Sequence, residues 1–184
     1  KVWITKSNNP NRKLKYTLQI IEVDGCKVGI NTHLTNKIVL EGLKENKFKF
    51  IGKNQKIVSE KKFGKNTRFD FYLQNESSKT FIEVKNVTLS RKKGIAEFPD
   101  SVTDRGLKHL EGLLEAKKLG YKIYLIFVVQ REKCKYFQIA KDIDPQYAKL
   151  LTVALKNKLK VISFDCKFYT KRIKLNKQIN FQNE

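Results

Sequence analysis

Acidic residues are scarce in this chain. Against 39 Lys and Arg stand 18 Asp and Glu, a formal charge of +21 over 184 residues. A balance of that sign calls for a polyanionic partner, with nucleic acid the first candidate. Methionine is absent altogether. A chain without it that opens at Lys1 in a strand-like run is expected to lack its natural N-terminus. The three cysteines, Cys26, Cys134 and Cys166, are odd in number and far apart, with no Cys-x-x-Cys or Cys/His spacing. That argues against a disulfide framework and against zinc, and leaves reduced, buried thiols of a cytoplasmic protein as the expectation. No apolar run approaches the roughly 18 residues of a membrane-spanning helix, and no signal peptide is visible, so no membrane partner is expected. No internal repeat or low-complexity linker breaks the chain. With no helix-turn-helix or zinc-finger signature to read base edges, binding to nucleic acid is expected to be largely independent of sequence.

What the chain does contain is enough for a sizeable core. Apolar residues make up 40% and Phe alone numbers 12, which suits one domain or two small ones. Lysines number 33 against six arginines, beside abundant Asn and Ile, a bias that an AT-rich genome produces whatever the function. The placement of the charge therefore says more than its size. Lys61, Lys62, Lys65 and Arg68 precede Asp70, while Arg91, Lys92 and Lys93 follow the next strand-like run. Basic clusters on both sides of a site suit a phosphodiester backbone, and a solvated basic surface accounts equally well for any one of them.

Along the chain, residues 1 to about 31 read as short strands, with Asp24-Gly25 a strong turn signal, and resemble part of a small barrel. Leu34 to Leu43 reads as a helix with Leu34, Ile38 and Val39 on one face. Phe48–Ile51 and Lys56–Glu60 read as short strands. A helix over about 101–119 carries Leu107, Leu110 and Leu114 as its apolar stripe. Ile123–Val129 has the continuous apolar character of a central strand covered on both faces. Asp144-Pro145 supplies an N-cap and first-turn proline for a helix through about Lys158. Lys160–Phe164 and Lys167–Leu175 return to strand. The order β-β-α-β-β-α-β-β predicts an α/β fold around a mixed sheet, with a boundary in the polar stretch 52–56.

The most informative feature lies in two strand-like runs, Thr67–Leu73 and Thr80–Lys85, joined by a polar link of hairpin length. Period-two alternation puts Glu83 and Lys85 on one face and Ile82 and Val84 on the other. A hairpin then brings Asp70 beside Glu83, with Lys85 one step along the same surface. Two carboxylates bind a hard divalent cation, Mg2+ or Mn2+, and a neighbouring lysine can orient or activate a water. This spacing resembles the PD-(D/E)xK nuclease core, although acid-x-Lys on a solvated strand is common.

The stretch Pro99-Asp100-Ser101-Val102-Thr103-Asp104-Arg105-Gly106-Leu107-Lys108-His109-Leu110, with Ile82–Leu89, closely resembles the sugar fermentation stimulation protein family. Asn31-Thr32, Asn36, Arg68–Phe71 and Asp144–Ala148 fit the same pattern, so the resemblance runs over essentially the whole chain. It implies an N-terminal OB-type barrel, here residues 1–52 and incomplete because the family's first strands are missing. That is joined to a restriction-endonuclease-like domain, here residues 53–184. It further implies DNA binding and a regulatory role in maltose metabolism.

On this reading Asp70 and Glu83 ligate the metal with the Val84 carbonyl, Lys85 positions the attacking water, and Glu60 supplies a further carboxylate. Arg105, Lys108 and His109, three or four apart on the following helix, are expected to face one side and contact phosphate, with Lys61, Lys62, Lys65 and Arg68 as further nucleic-acid contacts. Lys108 can equally pair with Asp104, and His109 can equally be a packed histidine. Trp3, Phe48 and Phe50 are candidates to stack bases, but are more often core in such strands. An active nuclease and a DNA-binding protein on a nuclease scaffold both remain open, as does a homodimer.

Overall fold

The computed structural model describes residues 1–52, 55–64 and 67–182. It begins with an antiparallel three-stranded sheet, β1 (Val2–Lys6), β2 (Tyr16–Val23) and β3 (Cys26–Gly29), in that spatial order. Asp24 and Gly25, at φ of 52° and 63°, close the β2–β3 hairpin as two consecutive left-handed residues. That is the geometry a two-residue loop needs to match strand twist, and short polar or glycine residues tolerate it.

Helix α1 (His33–Lys44) buries Ile38, Val39 and Leu43. The strand expected at Phe48–Ile51 is instead a single 3-10 turn, Lys49–Ile51. Phe48 is driven into the core beside Phe164, while Phe50 stacks on Tyr124 with ring centroids 5.4 Å apart. Two aromatic anchors on one turn outweigh the strand preference of the run.

The rest is β4 (Lys56–Phe63), β5 (Thr67–Gln74), β6 (Lys79–Val87), β7 (Leu89–Lys92), β8 (Ile95–Phe98), α2 (Asp104–Lys118), β9 (Lys122–Val129), β10 (Tyr136–Ile139), α3 (Pro145–Lys156), β11 (Lys160–Phe168) and β12 (Ile173–Gln182). They build a nine-stranded mixed sheet in the order β4-β5-β6-β9-β11-β12-β10-β8-β7. The centre, β6-β9-β11, is parallel, so each link must cross over, and α2 and α3 are those crossovers. In β9, Ile123, Leu125 and Phe127 face a core shared with α2 and α3, while Tyr124, Ile126 and Val128 face a second core shared with α1. Burial on both faces explains the unbroken apolar run.

The short strands β7, β8 and β10 were not expected, because runs of four residues carry too little alternation to register. Helix α2 starts at Asp104 and buries Leu113 more fully than Leu114. The last hairpin lies further along than expected: β11 runs on to Phe168 and β12 begins at Ile173. Residues 53 and 54, inside the expected boundary at 52–56, fall outside the described residues.

Candidate functional site

The β5–β6 ladder runs from Gln74↔Lys79 to Phe71↔Ile82 and stops there. Just beyond, the chain turns over. Phe71 faces the α1-side core and Phe69 the α2-side core, and Glu60 on neighbouring β4 has a φ of 54°. Asp70 sits in the gap so opened. Its Oδ2 accepts the Val84 N–H at 2.7 Å, a donor that a strand carbonyl would otherwise take. Its Oδ1 accepts Asn36 Nδ2 from α1, also at 2.7 Å. The acid is thereby fixed by both neighbouring elements.

Glu83, next to Val84 on β6, is 2% exposed. Its Oε1 accepts Lys85 Nζ at 2.8 Å and contacts His109 Nδ1, which lies 3.1 Å from the same Lys85 amine. Its Oε2 is buried and has no hydrogen-bond partner among the described residues. Burying a carboxylate oxygen unpaired is costly, and native structures rarely retain one without a reason.

The pair is split electrostatically. Burial, reinforced by the Glu83 charge, pushes Asp70 up to about 6 despite its bonds to Val84 and Asn36. Burial also works against a charged Glu83, but the Lys85 ammonium and His109 outweigh it and hold that carboxyl below its ordinary value. Two adjacent carboxyl groups with diverging proton affinities are a feature common at functional sites.

Helix α2 is aimed at the pair by its N-terminus. Thr103 Oγ1 caps it by accepting the Gly106 N–H at 3.0 Å, and Asp144 accepts the Thr103 N–H with one oxygen and the Tyr147 N–H with the other. One buried acid thus ties the starts of α2 and α3 together. A Cβ on Gly106 would lie 2.8 Å from the Thr103 side chain and 3.1 Å from the Tyr147 ring, so glycine lets the helix close on both. Arg105 and His109, one turn apart, then line a cleft of about 700 Å3 with Asp70, Glu83, Lys85 and, from α1, Asn36.

Of the residues singled out from sequence, Asp70, Glu83, Lys85, Arg105 and His109 converge here, and Glu60 lines the same cleft. Glu60 is exposed and pairs with Arg68 at 3.6 Å. Lys108 is exposed and does not line the cleft, because one residue on from Leu107 the helix has already turned away. Lys61 and Lys62 are exposed on β4, with the Lys61 amine 5.7 Å from the centre of the Tyr72 ring. Lys65 lies outside the described residues. Phe48 is core, and Cys26 is only half-buried while Cys134 and Cys166 are buried. Asn36 was missed as a site residue. Its signal is a lone amide on the polar side of an otherwise amphipathic helix, which becomes specific only once β5 lies beside it.

Among the described residues no group of three or more His, Cys, Asp or Glu side chains could hold a metal ion. Asp70 and Glu83 are two, and the unpartnered Glu83 Oε2 is an oxygen still free to ligate. Two carboxylates that leave the remaining positions to water and phosphate suit Mg2+ or Mn2+, so the residues fit such an ion. Among the described residues no helix is long and apolar enough to cross a membrane.

The fold and cleft define a mixed α/β protein with a buried Glu83 and a half-buried Asp70 set in basic surroundings. A family model described as "Sugar fermentation stimulation protein RE domain" matches residues 33–172. A sugar fermentation stimulation protein homolog of Pelagibacter ubique is 48% identical over 182 residues, covering 99% of this chain and 78% of that relative. Homologs of Bartonella henselae, 34% identical over 183 residues (99% and 78%), and Rhodospirillum centenum, 42% over 166 residues (90% and 71%), match similarly. The chain belongs to the sugar fermentation stimulation protein family. A solved structure of Pyrococcus furiosus SfsA in complex with Ca2+ shares the fold, with a TM-score of 0.87 at 21% identity over 98% of this chain and 77% of that one.

Proposed function

We propose that this protein binds nucleic acid, DNA foremost, and that its cleft takes a divalent cation, Mg2+ or Mn2+, and hydrolyses phosphodiester bonds. The observation that carries this reading is Glu83 Oε2, buried without a partner beside Asp70 and Lys85. Asp70 and Glu83, with the Val84 carbonyl, are the residues to hold the ion, and Glu60 at the rim is a further carboxylate. When bound, the cation would neutralise the scissile phosphate and make a bound water more acidic. The rest of the chemistry falls to the chain. Lys85, held on the cleft wall by Glu83 Oε1, orients the attacking water. His109 touches both and fixes their geometry, a positioning role. Arg105 offers a cation to phosphate from α2, and Lys61 and Lys62 on β4 with Arg68 on β5 extend the basic approach, to which Lys65 adds a further positive charge in the sequence. The calcium bound by the Pyrococcus furiosus relative supports a hard, oxygen-ligated ion in this fold. On the same reading the large sheet is a restriction-endonuclease-like domain and the three-stranded sheet a portion of an OB-type barrel.

A second reading draws on the family's name and on the charge of +21. Here the protein regulates sugar metabolism, maltose included, by binding DNA without cutting it. Incubation with labelled single- and double-stranded DNA, with Mn2+ or Mg2+ and with chelator, separates the two. Metal-dependent cleavage that disappears in Lys85→Ala is the expected result. DNA retarded but uncut, equally with and without metal, would leave a binding protein only.

A further inference from the structure

We propose that Trp3 and Tyr169 form a stacking platform for unpaired bases of a single-stranded nucleic acid, placed just across helix α1 from the catalytic cleft. The inference rests on the nucleic-acid reading above and adds a second, distinct contact surface to it. Trp3 stands on β1, half-buried, and Tyr169 on the β11–β12 turn is 42% exposed. Phe48, Phe69 and Phe81 pack ring against ring, whereas Trp3 and Tyr169 pair with no other aromatic among the described residues. Their neighbours are cations. Lys27 Nζ lies 5.8 Å from the Trp3 ring centre, and Lys167 Nζ and Arg172 Cζ lie 5.6 and 5.3 Å from that of Tyr169.

Two hollows, of about 430 and 760 Å3, both have Trp3, Tyr169, Lys171 and Arg172 in their walls. The floor is apolar, with Ile20 shared by both. The acid in the smaller hollow, Glu41, pairs at 2.7 Å with Lys174, an ammonium it shares with Glu45. Aromatic faces set among positive charges match the chemistry of a nucleotide strand, in which planar bases alternate with phosphates. A duplex hides those base faces, so the platform selects unpaired strands.

Its position gives it a role. Lys37 lines both the smaller hollow and the cleft that contains Asp70 and Glu83, so one side chain on α1 joins the two. A strand entering the cleft has only to cross the helix, roughly 10 Å in diameter, to lay its next bases on Trp3 and Tyr169. The platform would therefore hold the nucleotides flanking the scissile phosphate and favour single-stranded or frayed substrate.

Trp3 is the only tryptophan in the chain, so its fluorescence reports on the platform alone. The full chain is titrated in chelator with an oligothymidylate, an oligouridylate and a duplex, following Trp3 emission and, in parallel, the anisotropy of labelled strands. We expect single strands to quench Trp3 and to bind at least tenfold tighter than the duplex. Tyr169→Ala should weaken single-strand binding roughly tenfold, equivalent to about 1.4 kcal/mol, whereas Tyr136→Ala, which removes another exposed tyrosine, should not. Single strands that bind without quenching Trp3 and without regard to Tyr169 would overturn the platform and leave the cleft reading intact. Quenching by single strands that no metal causes to be cut would sink turnover and leave the platform standing.

Discussion

Two glutamates in this protein are equally buried, each 2% exposed, and they differ in how their oxygens are paired. Glu97 on β8 is saturated. Its Oε1 accepts Arg91 Nη2 at 2.8 Å and Gln138 Nε2 at 3.0 Å, and its Oε2 accepts the Arg91 N–H and Nε at 3.0 Å each. Glu83 on β6 has one oxygen shared by Lys85 and His109 and one with nothing. Both are strand acids beside a cation, so burial and pairing alone do not separate structure from function. The unsatisfied oxygen is the difference on which the role proposed for Glu83 rests. A carboxylate kept only for stability gathers all its donors, whereas one kept for a ligand holds a lone pair in reserve.

The largest expected effect tests that contrast directly. Glu83→Gln should lower metal-dependent cleavage by roughly 100-fold or more, while Glu97→Gln should leave cleavage per folded molecule unchanged. The same pair is read by thermal unfolding with and without Mn2+. An ion at ten times its Kd stabilises the native state by about 1.4 kcal/mol, and that gain should vanish in Glu83→Gln and survive in Glu97→Gln. Equal loss of the gain in both variants would erase the distinction.

Next in size is Arg91→Ala, which removes two of the four donors to Glu97 and leaves the residue 91 backbone N–H and Gln138 in place. Because a buried carboxylate is left short of donors, the melting temperature should fall by roughly 5 to 10 °C. An unchanged melting temperature would mean that solvent replaces the guanidinium at no cost.

The two sites should also respond to pH with opposite sign. Arg91, through its hydrogen bonds to both acids, holds Glu97 at about 2, below an ordinary 4.5, and Asp142 at about 2 as well. Their stabilisation is present above the unfolded value and is lost as pH falls from about 4.5 toward 2. Asp70, raised by burial from 3.8 to about 6, binds more protons folded than unfolded in that window. In chelator its contribution therefore declines as pH rises from 3.8 to 6. Denaturant unfolding against pH should show Asp70→Asn flattening the upper window and Glu97→Gln the lower one. An Asp70→Asn curve that follows the parent between pH 4 and 6 would show that Asp70 does not carry that slope.

The contrast also shows which parts of the molecule were legible in sequence. Glu83 and Lys85 could be read because they depend on period-two alternation along one strand, and local periodicity survives in a linear string, whereas the break in that alternation between Phe69 and Phe71, which seats Asp70, leaves no such trace. The parallel core was legible in Ile123–Val129 for the same reason. What distinguishes Glu83 from Glu97 was not, since it depends on donors from elsewhere in the chain: His109 on α2 in one case, Gln138 on β10 in the other. The strands β7, β8 and β10 escaped notice because four residues carry no period, and Asn36 because its partner lies 34 positions away. That Lys108 lies outside the cleft while Arg105 and His109 line it was not legible, because i, i+3 and i+4 spacing permits several shared faces, and packing of Leu107 and Leu110 decides which one turns inward.

The smallest predicted effect concerns a second unpartnered atom close to Glu83. Tyr147 is fully buried at the start of α3, and its hydroxyl has no hydrogen-bond partner among the described residues. Burial, with the charges of Glu83 and Asp144 behind it, forces that hydroxyl to stay protonated. A dry, unpaired hydroxyl costs stability, so Tyr147→Phe should stabilise the protein by about 0.5 to 1 kcal/mol, with the ring keeping its contact to Phe98. Cleavage should stay within about twofold, because the ring, not the oxygen, supports Gly106 and the cap of α2. If Tyr147→Phe instead destabilises the protein by 1 kcal/mol and slows cleavage tenfold, the hydroxyl is donating toward Glu83 through a water. Glu83 Oε2 would then be satisfied from behind, and the atom that sets the acidic pair apart from Glu97 would lose its distinction.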